Sequence, residues 1–214
     1  DVEAGLKYQG YVVDMPVRLN VAAYHLWIKD SQRTIFAISP TNSAFTISVP
    51  KGRTYGVEIE GSIRPRQWLD LGLAFSYINA KYTDGDIILF GISQVIDQVP
   101  DTPEFAGSVF ADVTMPLAGS IEANFHVDAY AQSRTFLGPQ SIINAGATTP
   151  SYAIVNFRAG LEHEKSGWGL TANLKNAFDK VYYAGGFATG SISQLNTRIP
   201  GWPRTFSVEV SYSF

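Results

Sequence analysis

The stretch Thr205-Phe206-Ser207-Val208-Glu209-Val210-Ser211-Tyr212-Ser213-Phe214 decides how the chain is read. Thr205, Ser207, Glu209, Ser211 and Ser213 are all polar, and Phe206, Val208, Val210, Tyr212 and Phe214 are all apolar. Successive side chains of a strand point to opposite faces, so this is a strand with one wet and one greasy face. The pattern recurs upstream. Trp168, Leu170, Ala172 and Leu174 alternate with Thr171, Asn173 and Lys175. Ala153, Val155, Phe157, Ala159 and Leu161 oppose Asn156, Arg158 and Glu162, and Ile121, Ala123, Phe125, Val127 and Ala129 oppose Glu122, Asn124, His126, Asp128 and Tyr130. Leu69, Leu71, Leu73, Phe75 and Tyr77 oppose Asp70, Gly72, Ala74 and Ser76. Weaker copies lie at about 105–113, 53–63, 17–28 and 2–9. In 17–28 the phase slips around Ala22-Ala23, so only Leu19 and Val21 are assigned a face there. The count is nine strands of about ten residues, the length that crosses a bilayer core when tilted, and no helix.

Composition supports a chain with a non-aqueous side. Its 214 residues are 45% hydrophobic and 13% aromatic, while Asp, Glu, Lys and Arg together make 16%, against roughly 25% in ordinary soluble proteins. Mean hydropathy is +0.00, an average that conceals alternation. A net charge of −3 provides no basic field for nucleic acid. With no cysteine there are no disulfides, thiolate zinc sites or cysteine nucleophiles. The opening Asp1-Val2-Glu3-Ala4 has neither the basic start nor the apolar run of a signal peptide. The longest near-apolar run, residues 87–92, is far short of a spanning helix.

The connections alternate in length. Short turns fall near Gly10–Pro16, Arg64–Gln67, Met115–Gly119 and Glu164–Gly167, and long polar loops near 34–52, 83–103, 132–150 and 177–202. All the long loops therefore fall at one end of the sheet, as in outer-membrane barrels with periplasmic turns and external loops. A soluble sandwich also alternates greasy and polar faces, so alternation alone leaves both open. The tryptophans separate them. Trp68 and Trp168 stand where strands leave short turns, and Trp27 and Trp202 stand at the long-loop end. These are the two interface levels that amphipathic rings favour. The expectation is an all-β, antiparallel transmembrane β-barrel segment in contact with the lipid bilayer. Nine strands cannot start and finish at the same end, and alone they would leave two unpaired edges in lipid. Either the strand count is off by one or an odd number of strands lies upstream; the expectation is the second, which makes the chain a C-terminal piece.

Several segments resemble one family in order and spacing. Asn173-Leu174-Lys175-Asn176-Ala177-Phe178-Asp179-Lys180-Val181-Tyr182-Tyr183 resembles the penultimate-strand signature of TonB-dependent outer-membrane receptors, with Ala177 where Leu is commoner. Pro200-Gly201-Trp202-Pro203-Arg204, followed by ten residues to Phe214, resembles their last strand. Ala80-Lys81-Tyr82-Thr83-Asp84 with Pro100-Asp101-Thr102-Pro103, and Glu3, Gly5, Lys7 and Ile28-Lys29-Asp30, resemble earlier strands of the same half. The last 45 residues carry most of this likeness. It implies a 22-stranded barrel whose final nine strands are residues 1–214, a plug and a TonB-contacting segment N-terminal to them, and TonB-driven import of a scarce nutrient, most often a ferric siderophore. It implies that Phe214 is the signal read by the barrel-assembly machinery. No cofactor and no enzyme activity are implied. The rivals are a truncated or split barrel with a structural role, and an outer-membrane hydrolase.

The polar residues divide into wall and mouth. Glu3, Lys7, Arg18, Glu58, Glu60, Asp70, Glu122, Asp128, Arg158, Glu162, Lys175 and Glu209 line the lumen, where they serve as a solvated wall or hydrogen-bond a plug. His126, Asp128 and Glu122 share one strand face and are the residues a hydrolase would use; alternate residues are nearly 7 Å apart, so His126 and Asp128 meet only through bent rotamers. The loops are the better binding surface. Arg33, Arg53, Arg134, Arg198 and Arg204 lie in or beside them, with Phe36, Phe45, Phe90, Phe136, Tyr183 and Phe187. Guanidinium groups among aromatic rings suit an anionic, partly flat small-molecule ligand such as a ferric catecholate. Arg204, within the last-strand motif, is expected to be structural.

Overall fold

The computed structural model describes residues 1–37, 43–85, 87–89, 91–139, 147–188 and 196–213. The strands are β1 (Val2–Val12), β2 (Met15–Ala37), β3 (Ser43–Arg66), β4 (Leu69–Asp84), β5 (Ile87–Leu89), β6 (Ile92–Gln94), β7 (Phe105–Pro116), β8 (Ile121–Gln132), β9 (Thr135–Phe136), β10 (Thr148–Thr149), β11 (Tyr152–His163), β12 (Trp168–Lys175), β13 (Tyr183–Ala188), β14 (Asn196–Pro200) and β15 (Thr205–Tyr212). Nine form one antiparallel sheet in chain order, β1-β2-β3-β4-β7-β8-β11-β12-β15. The other six pair as small ribbons, β5 with β6, β9 with β10 and β13 with β14, all within the long connections.

Register turns local alternation into two continuous faces. Directly opposed residues share a face, and one row runs Leu6, Val21, Ile59, Phe75, Gly107, Ala131 and Ala153. Another runs Leu71, Ala111, Val127, Phe157, Leu174 and Phe206. The opposite face carries rows such as Asp70, Asp112, His126, Arg158, Asn173 and Ser207. From Leu69 to Tyr77 the apolar face of β4 is nine residues long, roughly 20 Å of height for a strand tilted about 40°. The two-residue turn between β1 and β2 places both Val13 (φ 50°) and Asp14 (φ 64°) in the left-handed region, as the tightest hairpins require.

Burial is inverted relative to a soluble domain. On the apolar face Leu73, Val109, Phe125 and Val210 are exposed, Val210 by 63%. The buried apolar residues described lie instead in the long connections, as one cluster of Val49, Tyr82 and Ile96 and a second of Leu137, Ala147 and Ala188. Water would not leave so large an apolar sheet face bare; hydrocarbon solvates it at no cost. Among the described residues β1 and β15 each pair on one side only, so the sheet is an open wall.

Two expectations need correction. The register of β2 is unbroken across Ala22-Ala23 on both sides. Ala22, Tyr24 and Leu26 simply lie on the otherwise polar face, and the irregularity comes later, at Asp30, whose φ is 51°. Much of the stretch 34–52 is strand: β2 and β3, of 23 and 24 residues, continue as one paired ribbon well past the apolar band. Trp27 therefore lies inside a strand, at the upper edge of that band, 55% exposed. Trp168 packs on Tyr212 with ring centroids 4.9 Å apart at the turn end. At the loop end His25, Trp27, Tyr55, Tyr77 and Phe105 form a continuous belt with centroid spacings of 4.1–6.4 Å.

The two faces predict opposite responses from adjacent residues. Val109→Lys, at mid-height on the apolar face, should cost about 2–4 kcal/mol in a bilayer, and Ser108→Lys on the other face should cost less than about 1 kcal/mol. Urea unfolding in lipid, followed by the heat-dependent gel shift of folded barrels, measures both.

Candidate functional site

Polar side chains on the inner wall are joined in a run that climbs from mid-sheet to the loops. Asp112 Oδ1 lies 2.6 Å from His126 Nδ1, and His126 Nε2 lies 3.3 Å from Asp128 Oδ1. Asn156 Nδ2 donates to Asp128 Oδ2 at 2.8 Å, and the Asn176 backbone N–H donates to Asn156 Oδ1 at 2.9 Å. Phe110 stacks against the imidazole, centroids 6.1 Å apart. His126 and Asp128 do meet, but the shorter contact is to Asp112 on the neighbouring strand. Both ring nitrogens face carboxylates, so neither is placed to take a proton from a nucleophile. Glu122 stands opposite Glu162, two rows below His126. The geometry offers no hydrolytic centre there.

Asn176 ends this run and begins another. It is 3% exposed with φ of 48°. Its Nδ2 donates to the Lys180 and Trp202 carbonyls at 2.9 and 3.0 Å, and its Oδ1 accepts from the Lys180 N–H at 2.9 Å. Asp179 (φ 53°) accepts the Arg204 N–H at 3.0 Å, and the Gly201 N–H donates to the Tyr182 carbonyl at 2.9 Å. A Cβ at Gly201 would fall 2.1 Å from the Tyr182 ring, so any larger residue there displaces that ring. The two segments singled out by resemblance, 173–183 and 200–204, therefore grip each other. Asn and Asp serve here because both tolerate left-handed backbone and cap N–H groups at once. Arg204 contributes its backbone to this junction, in keeping with a structural role.

Above the wall the described parts of the four connections interlock in one layer. Val49, Tyr82 and Ile96 join the first to the second, with Phe45, Ile47 and Val99 packed around them. The Asp97 and Gln98 N–H groups both donate to the Pro139 carbonyl, at 3.0 and 3.1 Å, and the Asp101 N–H donates to the Phe136 carbonyl at 2.9 Å, joining second to third. Burial pushes the Asp101 carboxyl up from its ordinary range. Leu137, Ala147 and Ala188 join third to fourth, and the Thr135 and Thr149 hydroxyls pair at 2.6 Å inside the third.

Of the expected ligand residues, Arg33, Tyr183, Phe187 and Arg198 fall in this layer, and Arg53 and Arg134, with Phe136 beside it, do not. Arg33 Nε donates to the Tyr82 hydroxyl, and its Cζ lies 5.6 Å from the ring centroid. Arg198 Cζ lies 5.3 Å from the Tyr183 ring, and Phe187, 60% exposed, stands on the same β13–β14 ribbon. Arg134 Cζ lies 5.7 Å from the Phe136 ring. Phe36 belongs to β2, opposite Ala44. Phe90 and Phe214 lie outside the described residues. Arg53 faces Trp27 and Lys81 on the apolar side, its Cζ 5.6 Å from the Tyr55 ring. Arg134 lines a cavity beside Lys81 and Phe105 at that outer rim. Asp112 carries no signal in the sequence, and Tyr82 and Asn176 stand there only as members of motifs, with no contact assigned to either.

The sequence profile of the family described as TonB dependent receptor-like, beta-barrel matches residues 1–177. The chain belongs to this family. The metal-pseudopaline receptor CntO of Pseudomonas aeruginosa is 22% identical over 214 residues, 99% of this chain and 27% of that receptor. Among solved structures, the ferric yersiniabactin uptake receptor FyuA of Yersinia pestis superimposes with a TM-score of 0.72 at 14% identity, over 99% of this chain and 29% of that one. BauA, the ferric preacinetobactin receptor of Acinetobacter baumannii, gives 0.68 at 18% identity, with the same coverage of each. The chain thus spans less than a third of these relatives. The profile match stops at Ala177, while the structural likeness runs through the final strand. TonB-dependent receptors reside in the bacterial outer membrane, the setting that the bare apolar face requires.

Because Asn176 satisfies two carbonyls and one N–H across the β12–β15 connection, Asn176→Ala should cost about 1–3 kcal/mol. Protease cleavage between residues 178 and 203 should rise, while cleavage in the β2–β3 ribbon should not change.

Proposed function

We propose that this chain forms the last nine strands of the barrel of an outer-membrane receptor that imports a ferric siderophore. The observation that carries the reading is a pre-packed loop layer, above a polar wall, holding Arg33 on Tyr82 and Arg198 on Tyr183. A guanidinium already seated on a ring presents charge and flat surface without further ordering, which favours anionic, planar chelates. Phe187 belongs to the same proposed surface. The relatives named as receptors for ferric preacinetobactin and ferric yersiniabactin support this ligand class. So does the metal-pseudopaline receptor, which widens it to other chelated metals.

The two half-paired edges require further strands, 22 in total on the family's pattern, closed around a plug. The polar wall, from Arg64–Asp70 to Asp112–His126–Asp128, would face that plug. Energy would come from TonB acting on the N-terminal part. A truncated barrel with a structural role is the second reading, and the half-paired edges oppose it.

Two measurements test this. An antibody to residues 200–214 should detect a heat-modifiable outer-membrane band above roughly 57 kDa, the 23.4 kDa of this chain scaled by strand number; a band near 23 kDa would sink the reading. In the whole receptor, Arg198→Ala should weaken ferric catecholate binding about 2- to 30-fold, from ~0.5–2 kcal/mol per cation–π contact. Unchanged affinity would remove Arg198 from the ligand surface.

A further inference from the structure

On the inner wall, His126 and Asp128 aim two lone-pair-bearing atoms at one spot. Asp112 Oδ1 lies 2.6 Å from His126 Nδ1, so the ring proton of a neutral imidazole belongs on Nδ1. The Nε2 lone pair is then left facing Asp128 Oδ1. Asp128 is fixed in the same way. Its Oδ2 accepts from Asn156 Nδ2 at 2.8 Å, and the amide orientation follows because Asn156 Oδ1 accepts the Asn176 N–H. Phe110 stacks on the imidazole with ring planes 24° apart. It lies over Gly72, where a Cβ would fall 2.1 Å from the Phe110 ring. Both converging atoms therefore sit on side chains held from behind.

The two atoms are 3.3 Å apart. A proton shared by an imidazolium and a carboxylate draws the heavy atoms to about 2.7–2.9 Å. A tetrahedral Zn²⁺ bonded to both at its ordinary distances sets them about 3.3–3.4 Å apart. A carboxylate on one ring nitrogen and the metal on the other is the usual arrangement of a metal-binding histidine. The local charge also suits a cation. Asp112 and Asp128 carry two negative charges, against one positive charge on Arg158, directly opposite His126. Asp70, opposite Asp112, is engaged by Arg64 at 2.7 Å. The side chains of His126 and Asp128 are 35% and 34% exposed, so the spot opens to the lumen.

We infer that His126 Nε2 and Asp128 Oδ1 form a two-ligand site for a divalent transition-metal ion of the Zn²⁺ kind, with Asp112 and Asn156 as positioning residues. Imidazole with carboxylate suits Zn²⁺, Cu²⁺ and Ni²⁺, whereas Ca²⁺ and Mg²⁺ take oxygen ligands. Among the described residues no third His, Asp or Glu is placed to ligate the same ion. The remaining positions fall to water or to donor atoms of a chelate. Two protein ligands are one short of the three that catalytic zinc sites use, so this site holds an ion rather than making a hydrolase. The inference goes beyond import of an intact chelate, because here the protein itself ligates the metal. It stands whichever nutrient the receptor carries.

The test uses the intact receptor, stripped with a chelator and titrated with Zn²⁺ alone in a calorimeter. A parallel titration uses Co²⁺, whose visible spectrum reports tetrahedral coordination. His126→Ala should lose one equivalent of Zn²⁺, and Asp128→Ala should lose the tetrahedral Co²⁺ band. Asp112→Asn keeps both ligands but loses the charge behind the ring, and should bind about 10- to 100-fold more weakly. Each variant must keep the heat-dependent gel shift of the folded barrel, and the nearly isosteric Asp112→Asn serves where another fails to fold. The proposal is overturned if His126→Ala binds as many equivalents of Zn²⁺ as the wild type. It is overturned equally if Asp112→Asn and Asp128→Ala bind as tightly as the wild type, because the imidazole would then act alone.

Discussion

Every backbone amide that enters hydrocarbon must find its partner within the protein, and the rest of this structure follows from that requirement. A chain without a long apolar helix can meet it only through neighbouring strands, so the sheet must run in chain order with short turns at one end. Antiparallel pairing then lines up the side chains of nine strands in register. A two-residue period within each strand becomes two uninterrupted surfaces across the wall. The apolar surface needs no partner because lipid is its solvent. The polar surface can hold charged rows such as Asp70, Asp112, His126 and Arg158 because it is turned away from lipid.

The same constraint moves ordinary protein packing out of the membrane. Where the ribbons rise above the aromatic belt they enter water, and there the chain builds the buried clusters expected of a soluble domain, around Val49–Tyr82–Ile96 and Leu137–Ala147–Ala188. Each cluster joins successive connections, and Asn176 ties the last of them to the wall through Asn156 and Asp128. Among the described residues, the mouth is consequently packed together, with the Arg33–Tyr82 and Arg198–Tyr183 pairs in place on it.

Legibility in the sequence tracked solvent contrast. Strands β8, β11, β12 and β15 have strongly different faces, and their alternation could be read directly. Strand β2 could not, because the inner wall tolerates Ala22, Tyr24 and Leu26 and the contrast vanishes without any change of register. The β2–β3 ribbon reads as loop although Phe45, Ile47 and Val49 alternate with Thr46 and Ser48, since polar content outweighs a period of two. Contacts across strands were out of reach. Arg134–Phe136 is a local pair and visible; Arg33–Tyr82 spans 49 positions and depends on how two ribbons pack. Likewise Asp112, the nearer partner of His126, is found only once the hairpin register is known. Asn176 was visible as part of a familiar motif, but its work of tying residues 180 and 202 together was not.

One face of this sheet touches lipid and the other does not, and β15 is the strand on which the difference is simplest to measure. The chain contains no cysteine, so single cysteines can be placed at Phe206 through Ser211 and given nitroxide labels in the bilayer-embedded receptor. Labels at 206, 208 and 210 should be accessible to oxygen and shielded from a water-soluble nickel chelate. Labels at 207, 209 and 211 should fall out of phase. Chelate access to the even positions equal to that of the odd ones would place both faces in water and rule out a lipid-facing side.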